Sequence, residues 1–404
     1  MTLAFMAAAI TGCKGAVTPQ DNTTIEDMTI DVTPENIVNT ILTLPASRTL
    51  KATGNFDSTT IRNINAALKT LYQSSPSILV RLDLSDTTGL YYLHTSNYRF
   101  NPITYEDDKK ELFVECKNLE TIILPETVMD IKTYAFYNCT NLAKIVIPNS
   151  VDSIGDYAFS NCTSLTSITI PDSVTWIGNS AFYNCTGLTS ITIPDSVTGI
   201  GKYAFYNCTG LTSITIPDSV TSLSYWVFCD CSSLTNVTIP ASVTSIDNSF
   251  HGCSEIKTVY YTGTLEQWFS IDFSGPWSTS TKKIELYINN TKLEGNITIP
   301  DSFTSIGKYA FYGCTGLTSI TIPDTVTSIG EYAFYGCIGL TSITIPDSVT
   351  SIGKNAFIGC KELTSATFNQ TRGWRDSNFN LVSVADPEAA ATLLKEGGRL
   401  TRSN

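Results

Sequence analysis

The stretch LTSITIPDSVTGIGKYAFYNCTG, residues 188–210, contains the unit from which most of this chain is built. Ile191 and Ile193 flank a threonine, and this alternation of apolar and polar residues predicts a short strand with one solvent-facing side. Pro194 ends that strand, because proline cannot donate to a hydrogen-bonded ladder. After a turn, residues 197–200 predict a second short extended segment.

The second half of the unit closes the coil. Gly201 is expected to take a positive φ at a bend, a conformation that glycine adopts without steric cost. Ala204, Phe205 and Cys208 form an apolar cluster that is too short for a full helix, so we predict a tight helical turn beneath the next coil. The unit therefore returns the chain to the edge at which its first strand began.

The unit recurs along most of the chain with a period of 23 residues. The recurring cysteines are Cys116, Cys139, Cys162, Cys185, Cys208, Cys231, Cys253, Cys314, Cys337 and Cys360, spaced by 23 except at Cys253 and across one break. Self-similarity at such a period is typical of solenoids. We predict that these cysteines are buried thiols that act as small apolar side chains.

One unit cannot fold alone. Burying its six apolar side chains is worth about 9–18 kcal/mol, whereas ordering its residues costs on the order of 35 kcal/mol. Stacked coils each bury a further face and pair their strands, so the array is stable only as a whole. Eleven predicted strands, spaced by about 4.8 Å, make one parallel sheet roughly 50 Å long.

The columns Leu, Ile, Ile-Pro, Val, Ile-Gly, Ala-Phe and Cys resemble the leucine-rich repeats of BspA-like bacterial surface proteins over residues 112–368. The resemblance implies an α/β repeat solenoid with a parallel β-sheet. We place this array at 111–368, with an aromatic insertion at 262–296, a small α/β cap at 28–110 and a helical cap at 369–404. For function, the resemblance implies surface adhesins and antigens that engage host matrix proteins or other cells.

Turn and capping residues predict the elements outside the regular units. They place helices that begin at Thr33 and at Asp57 in the N-terminal cap and a hairpin turn at Asn289–Asn290 in the insertion. A further helix is predicted to begin at Asp386 and to end at Gly397. This last helix would cover the open end of the sheet.

The first residues, MTLAFMAAAITGCKG, predict export. An apolar run that ends in small residues fits a secretory signal peptide over 1–12. The residues before Cys13 also resemble the lipobox of bacterial lipoproteins, which implies that Cys13 carries the lipid; an ordinary cleavable signal is the alternative. Residues 13–27 are polar and threonine-rich, as suits a tether. The prediction is a lipoprotein of the bacterial cell surface that is held to the membrane only by its lipid.

Composition argues against several classes of function. The net charge of −12 repels nucleic acid. His94 and His251 are isolated in the sequence, so a metal or histidine-based catalytic centre has little to build from. The aspartates of the Ile-Pro-Asp turns, such as Asp195, are interpreted as turn residues in preference to calcium ligands. We predict no metal, no cofactor, no nucleic acid partner and no enzymatic activity.

Three surfaces are candidates for ligand binding: the solvent-facing side of the strands, the tyrosines beside the Ala-Phe turns, and the insertion. The candidate residues are Ser190, Thr192, Ser213 and Thr215 for the first, Tyr203 and Tyr206 for the second, and Trp268 and Trp277 for the third. Each surface also has a purely structural interpretation, namely a soluble β face, rings that pack on one another, and a local aromatic core.

The leading functional hypothesis is an adhesin or protein-binding scaffold for host matrix proteins or other cells. A repetitive surface suits binding better than catalysis, because a reacting centre needs a few unlike residues that converge on one point. The alternative is a carbohydrate-binding or glycan-processing surface protein that uses the aromatic insertion. Ordering of water by the strand hydroxyls is a third hypothesis.

Overall fold

The structure is a computed structural model that describes residues 29–90, 113–276 and 284–402. The predicted signal peptide, Cys13, the tether, His94 and Trp277 lie outside the described residues. The elements that precede the array are β1 (Thr29–Val32), α1 (Ile37–Leu42), β2 (Arg48–Asn55), α2 (Ser58–Ser74) and β3 (Val80–Thr88).

The N-terminal cap is a small parallel sheet with two helices, and its sheet continues into the array. Strands β1, β2 and β3 lie in that order, and β3 pairs with the first strand of the first coil. As predicted, Asp57 caps α2, and its carboxylate accepts a hydrogen bond from the Thr60 amide at 2.8 Å. Helix α1 begins later than predicted, because Asn36 accepts a hydrogen bond from the Thr33 amide at 2.8 Å and closes a separate turn first.

Most coils of the array contribute a first strand and a shorter second strand. From the first coil to the start of the insertion, the strands are β4 (Leu119–Ile123), β5 (Asp130–Ile131), β6 (Lys144–Val146), β7 (Ser153–Ile154), β8 (Ser167–Thr169), β9 (Trp176–Ile177), β10 (Ser190–Thr192), β11 (Gly199–Ile200), β12 (Ser213–Thr215), β13 (Ser222–Leu223), β14 (Asn236–Ile239), β15 (Ser245–Ile246) and β16 (Thr258–Tyr261). The insertion contains α3 (Leu265–Phe269), β17 (Asp272–Phe273), β18 (Glu285–Ile288) and β19 (Thr291–Lys292). The remaining strands are β20 (Gly295–Thr298), β21 (Ser305–Ile306), β22 (Leu317–Thr321), β23 (Ser328–Ile329), β24 (Ser342–Ile345), β25 (Ser351–Ile352), β26 (Ser365–Phe368) and β27 (Trp374–Arg375). The predicted repeat solenoid is confirmed.

Equivalent residues of successive coils face one another in parallel register, as Ile191 does with Ile168. The predicted single sheet is divided into shorter ladders, β1-β2-β3-β4-β6, β8-β10, β12-β14-β16-β18-β19, β20-β22 and β24-β26. A strand of three residues makes only one or two bonds to each neighbour, so the loss of one bond ends the regular pattern. Between ladders the coils remain joined, for example by the Thr212 amide, which donates to the Thr189 carbonyl at 3.3 Å.

The segment that was expected to form a tight helical turn makes local turn bonds at every second amide and bonds to the next coil through the amides between them. Tyr203 and Asn207 have φ values of 58° and 56°. Their amides donate to the carbonyl oxygens of Tyr225 and Cys229, one coil further on, at 3.1 and 2.8 Å. A helix would direct these amides along its own axis, whereas left-handed residues at these positions direct them across to the neighbouring coil.

Glycine is required at position 201 for a reason other than the one predicted. Gly201 does not have a positive φ, so that prediction was wrong. A Cβ on Gly201 would lie 2.5 Å from the backbone nitrogen of Asn179 in the preceding coil. The same contact recurs at Gly178, where a Cβ would lie 2.5 Å from the backbone nitrogen of Asp156. These glycines therefore set how closely the coils approach.

We expect Gly201→Ala to lower the free energy of unfolding by about 1–3 kcal/mol, because the backbone must shift to admit a methyl group. Gly398→Ala is the matched control, since a Cβ there meets nothing within 4 Å. Its expected effect is within about 0.5 kcal/mol. Urea denaturation followed by circular dichroism measures both variants, and equal losses would contradict the close-approach argument.

The core is organised as columns that run from coil to coil. Phenylalanine rings of successive coils stack with centroid separations between 5.0 and 5.6 Å. The rings of this column are Phe113, Phe136, Phe159, Phe182, Phe205, Phe228 and Phe250, and then Phe311, Phe334 and Phe357. Beside it, the Cys208 thiol donates to the Phe182 carbonyl oxygen at 3.1 Å. The cysteines of the described residues are free and buried, which confirms the prediction of buried thiols.

Burial of the thiols predicts a loss of stability at alkaline pH. Burial raises the pKa of Cys185, Cys314 and Cys360 from 9.0 to about 12. Between these values the unfolded chain has released protons that the folded chain still holds, so the free energy of unfolding falls as pH rises. Each such thiol contributes about 1.4 kcal/mol per pH unit within this window.

Urea midpoints measured at intervals from pH 8 upward, on the order of half a pH unit apart, should fall steadily once the pH passes the ordinary thiol pKa. Cys185→Ala is the control, and its slope against pH should be shallower than that of the unsubstituted chain. If the urea midpoints of the two proteins fell equally steeply with pH, the thiols could not be the cause of the alkaline loss of stability.

In five of the Ile-Pro turns a serine ties the turn to the preceding coil; these serines are Ser150, Ser173, Ser196, Ser219 and Ser242. Ser196 Oγ donates to the Val174 carbonyl oxygen of the preceding coil at 2.7 Å, and the Val197 amide donates to the Pro194 carbonyl oxygen at 3.0 Å. Asp195 is exposed, and its carboxylate makes no hydrogen bond to another described residue. The structure thus gives serine the turn role that we had assigned to aspartate.

The insertion continues both ladders of the array, since β17 pairs with β15 and β18 follows with its own partner. Strand β18 pairs in parallel with β16, with Val259 opposite Leu286. Asn289 and Asn290, with φ values of 46° and 62°, form the tight turn that joins β18 to the antiparallel β19. The hairpin prediction is confirmed, because both asparagines take the left-handed conformation that such turns require.

The C-terminal cap comprises α4 (Pro387–Lys395) and β28 (Leu400–Arg402). Asp386 caps the helix by accepting a hydrogen bond from the Ala389 amide at 2.7 Å, and Gly397 follows its end with a φ of 78°. Helix α4 lies against β26, and β28 pairs antiparallel with β25. The cap therefore covers the last coil, as predicted.

Candidate binding surfaces

The strand side predicted to be wet is a regular surface of hydroxyl groups. Ser190, Thr192, Ser213 and Thr215 are all exposed. Their hydroxyls make no hydrogen bond to another described residue, so each remains available to water or a ligand. We call this surface, which continues through the equivalent residues of neighbouring strands, the hydroxyl face.

A tyrosine pair that the sequence did not reveal borders the hydroxyl face. Tyr260 continues the row of Thr215 and Thr238, and it stacks on Tyr287 with ring centroids 4.9 Å apart. Tyr260 is 39% exposed. The signal was present in the residue pattern, since Tyr260 occupies the wet position of its strand, but the pairing requires β18 to lie beside β16.

A second surface is formed by rings next to the phenylalanine column. We call it the tyrosine ribbon; its rings are Tyr134, Tyr137, Tyr157, Tyr183, Tyr203, Tyr206, Tyr225 and Trp226 in the first part of the array, and Tyr309, Tyr312, Tyr332 and Tyr335 in the second. Neighbouring rings stack or meet edge to face, as between Tyr183 and Tyr206 at 4.9 Å. The rings are therefore held in place before any ligand arrives.

The two predicted site tyrosines lie together in the ribbon. Tyr203 and Tyr206 are half-buried, with ring centroids 6.0 Å apart. A hydrogen bond to the Asp230 carboxylate, with burial as a second cause, raises the pKa of Tyr206 to about 12. Tyr206 therefore stays a neutral phenol at physiological pH.

The aromatic residues of the insertion form a local core. Trp268 is fully buried, and its Nε1 donates to the Ala310 carbonyl oxygen at 2.9 Å. Tyr261 and Phe273 pack beside it, with centroids 5.2 and 5.4 Å away. The choice of Trp268 as a ligand-binding residue is therefore corrected, because a ligand cannot reach a ring that the protein encloses. Trp277 lies outside the described residues.

Two further observations bear on the class of protein. Among the described residues, no three histidine, cysteine, aspartate or glutamate side chains are grouped so that they could hold a metal ion. His251 instead stacks on Trp226, with centroids 5.7 Å apart. In the same described ranges, no helix combines the length and the apolar character that crossing a membrane requires.

Comparisons with known proteins agree with the repeat architecture. Residues 107–198, 175–296 and 282–385 match the family model described as BspA type Leucine rich repeat region, in six copies. A leucine-rich repeat protein of known structure from Bacteroides ovatus is 26% identical, with a TM-score of 0.39; the match covers 66% of this chain and 85% of that one. No curated protein matches the chain.

Two further solved structures are similar. A leucine rich cell surface protein from Faecalibacterium prausnitzii is 24% identical over 70% of this chain and 89% of that one, with a TM-score of 0.37. The pneumococcal vaccine antigen PcpA is 19% identical over 71% and 69%, with a TM-score of 0.38. The family model spans more than half of the chain and matches the repeats whose Leu, Ile, Phe and Cys columns are buried. This chain belongs to the family of BspA-type leucine-rich repeat proteins.

Proposed function

We propose that this chain is a bacterial cell-surface protein whose repeat array binds protein ligands, as an adhesin-like scaffold for host matrix proteins or other cells. The observation that carries the proposal is the tyrosine ribbon. Tyrosine and tryptophan are enriched at the centres of protein interfaces, where they contribute most of the binding energy. Rings already ordered by stacking lose little entropy when a partner covers them.

The hydroxyl face supports the same proposal. Ser190, Thr192, Ser213 and Thr215 supply donors and acceptors without charge. Such a surface can hydrogen-bond to a partner without the desolvation cost of burying ions. The described part of the array repeats this chemistry from coil to coil without a convergent set of unlike reactive groups, which favours a scaffold over an enzyme.

Surface location is part of the proposal and rests on the family and on the predicted signal. A diacylated and N-acylated Cys13 would attach the chain firmly, because several acyl chains hold a protein where one does not. Expression in a bacterium with radiolabelled palmitate should label the chain, and Cys13→Ser should abolish the label. Cys229→Ser, which changes a thiol within the array, should keep it; labelling that survives Cys13→Ser would contradict the anchor.

Binding is tested by immobilising the chain from residue 14 onward and measuring saturable binding of fibronectin, laminin, collagen and intact host cells. Tyr203→Ser with Tyr206→Ser should weaken binding about tenfold or more if the ribbon is the contact surface. Thr192→Lys with Thr215→Lys tests the hydroxyl face in the same way, and Tyr332→Ser with Tyr335→Ser tests the second part of the ribbon. Absence of saturable binding to every probe would contradict the proposal.

A further inference from the structure

The tyrosine ribbon has two gaps in adjacent coils. One column of the ribbon runs Tyr134, Tyr157, Ser180, Tyr203, and the neighbouring column runs Tyr137, Ser160, Tyr183, Tyr206, with a step of 23 residues in each. Serine thus replaces tyrosine once in each column, and the two replacements fall in consecutive coils. The missing rings leave an open hollow of about 320 Å³, lined by Tyr137, Tyr157, Ser160, Asn161, Ser180, Tyr183 and Tyr203. We call it the tyrosine hollow.

Four tyrosine rings, those of Tyr137, Tyr157, Tyr183 and Tyr203, line the tyrosine hollow. Where tyrosines occupy equivalent positions of consecutive coils, their rings stack 4.9 to 5.1 Å apart. Omitting the ring at Ser160 separates Tyr137 from Tyr183 by two coil spacings, or about 10 Å. That gap admits one six-membered ring at normal stacking distance from both walls. Tyr157 and Tyr183 are each braced from behind, by Tyr134 and Tyr206.

The floor of the hollow is polar. Ser160 and Ser180 are only 1% and 4% exposed, and within the described residues neither hydroxyl has a hydrogen-bond partner. Asn161 accepts a hydrogen bond from Asn184 Nδ2 at 2.8 Å through its Oδ1, while the hydrogens of its own side-chain Nδ2 bond to no other described residue. Hydroxyl and side-chain amide groups that have no partner in the protein keep their hydrogen-bonding capacity for a ligand in the hollow.

Among the described residues, those that line the hollow carry no charge. The site therefore combines flat apolar walls, hydrogen-bonding groups on its floor and no preference for charge. We propose that the tyrosine hollow binds one neutral pyranose ring of a glycan, with the faces of the sugar against Tyr137 and Tyr183 and its hydroxyls toward Ser160, Ser180 and Asn161. A phenyl side chain of a protein would fit the walls, but it would leave both serines unpaired.

This inference does not rest on the protein-binding proposal, although Tyr203 belongs to both surfaces, and it places carbohydrate binding in the array instead of in the insertion. A single sugar ring in a small open site binds weakly, on the order of millimolar. Saturation-transfer NMR detects binding in that range. Suitable probes are the methyl glycosides of glucose, galactose, mannose and N-acetylglucosamine, with N-acetyltyrosinamide as an aromatic side-chain probe.

The decisive variants are Ser160→Tyr and Ser180→Tyr, singly and together. They restore the side chain that the neighbouring coils carry, and Tyr157 and Tyr203 already hold the same backbone conformation as Ser180, with φ values of 55° and 58° against 53°. The variants should therefore fold with an unchanged or raised Tm and lose sugar binding by tenfold or more. Ser222→Tyr is the control for adding a ring elsewhere, because Trp176 occupies the equivalent place two coils earlier.

The expected result is saturation transfer to at least one glycoside, abolished in the double variant and retained in Ser222→Tyr. No transfer to any glycoside would overturn the proposal, and so would transfer that persists in the double variant. Binding of N-acetyltyrosinamide without any glycoside would also overturn it, in favour of a protein side chain. Loss of matrix-protein binding alone would affect only the protein-binding proposal.

Discussion

Replacing Trp268 with alanine is expected to lower the free energy of unfolding by about 3–5 kcal/mol, the range for removing a large aromatic side chain from a core. The indole is fully buried and contacts Tyr261 and Phe273. Its Nε1 also donates to the Ala310 carbonyl oxygen, 42 residues further along the chain. The substitution of Trp268 by alanine therefore both opens a cavity in the core and leaves the Ala310 carbonyl oxygen without its hydrogen-bond donor.

The position of Trp268 gives this substitution a second consequence. Phe269, the next residue of α3, contacts Phe311, the first ring of the second phenylalanine stack. Helix α3 thus joins the coils before the insertion to those after it. Because each coil of a repeat array is stabilised mainly by its neighbours, a weakened junction should let the two parts unfold separately.

Guanidinium denaturation followed by circular dichroism should show two transitions for Trp268→Ala, and hydrogen exchange should assign them to the parts before and after the insertion. Trp176→Ala is the matched control, since that ring is 46% exposed; its expected cost is within about 0.5 kcal/mol. Trp268→Phe keeps a ring and loses the hydrogen bond, so it should fall between the two. A single unshifted transition for Trp268→Ala would refute the role of α3 as a junction.

Phe205→Ala in the middle of the array is expected to cost about 3–5 kcal/mol. The ring is fully buried and lies 5.2 Å from both Phe182 and Phe228, with nearly parallel planes. Its removal weakens the contacts with the coils on both sides. The same coils cannot move together to close the gap, because Gly201 already holds its coil against the backbone of Asn179.

Phe379→Ala is the control for this substitution, because that ring is 75% exposed and its removal should change stability by less than about 0.5 kcal/mol. Thermal and urea unfolding measure both variants. If Phe205→Ala cost no more than Phe379→Ala, the stacked column could not be a main source of stability.

The sequence was sufficient for the properties that repeat. Leu188, Phe205 and Cys208 recur at fixed spacing, and a side chain that recurs in every coil must have the same environment in every coil. Their burial, the parallel register and the protonated thiols could therefore be predicted before any coordinates were known. The caps at Asp57 and Asp386 were predictable as well, because an N-cap bond joins residues only three apart.

The sequence was insufficient wherever the answer depended on the neighbouring coil. We predicted a bend at Gly201 from the residues next to it in the sequence. The requirement for glycine comes instead from the backbone of Asn179 in the preceding coil. The Ala-Phe segment was expected to bond to itself, but only alternate amides do so, and the amides between them bond to the next coil. Local patterns do not reveal which of two possible partners a backbone amide will take.

Irregular features were decided by tertiary structure alone. Composition marked Trp268 as a candidate ligand contact, and packing against Ala310 and Tyr261 made it a core residue. Ser160 and Ser180 are ordinary serines in the sequence; they line a hollow only because coils about 5 Å apart bring their two gaps together. The period of a repeat determines its buried columns, because equivalent residues of successive coils have equivalent neighbours. A binding site, in contrast, forms where one coil departs from the repeat, and its shape depends on the residues that surround the departure in three dimensions.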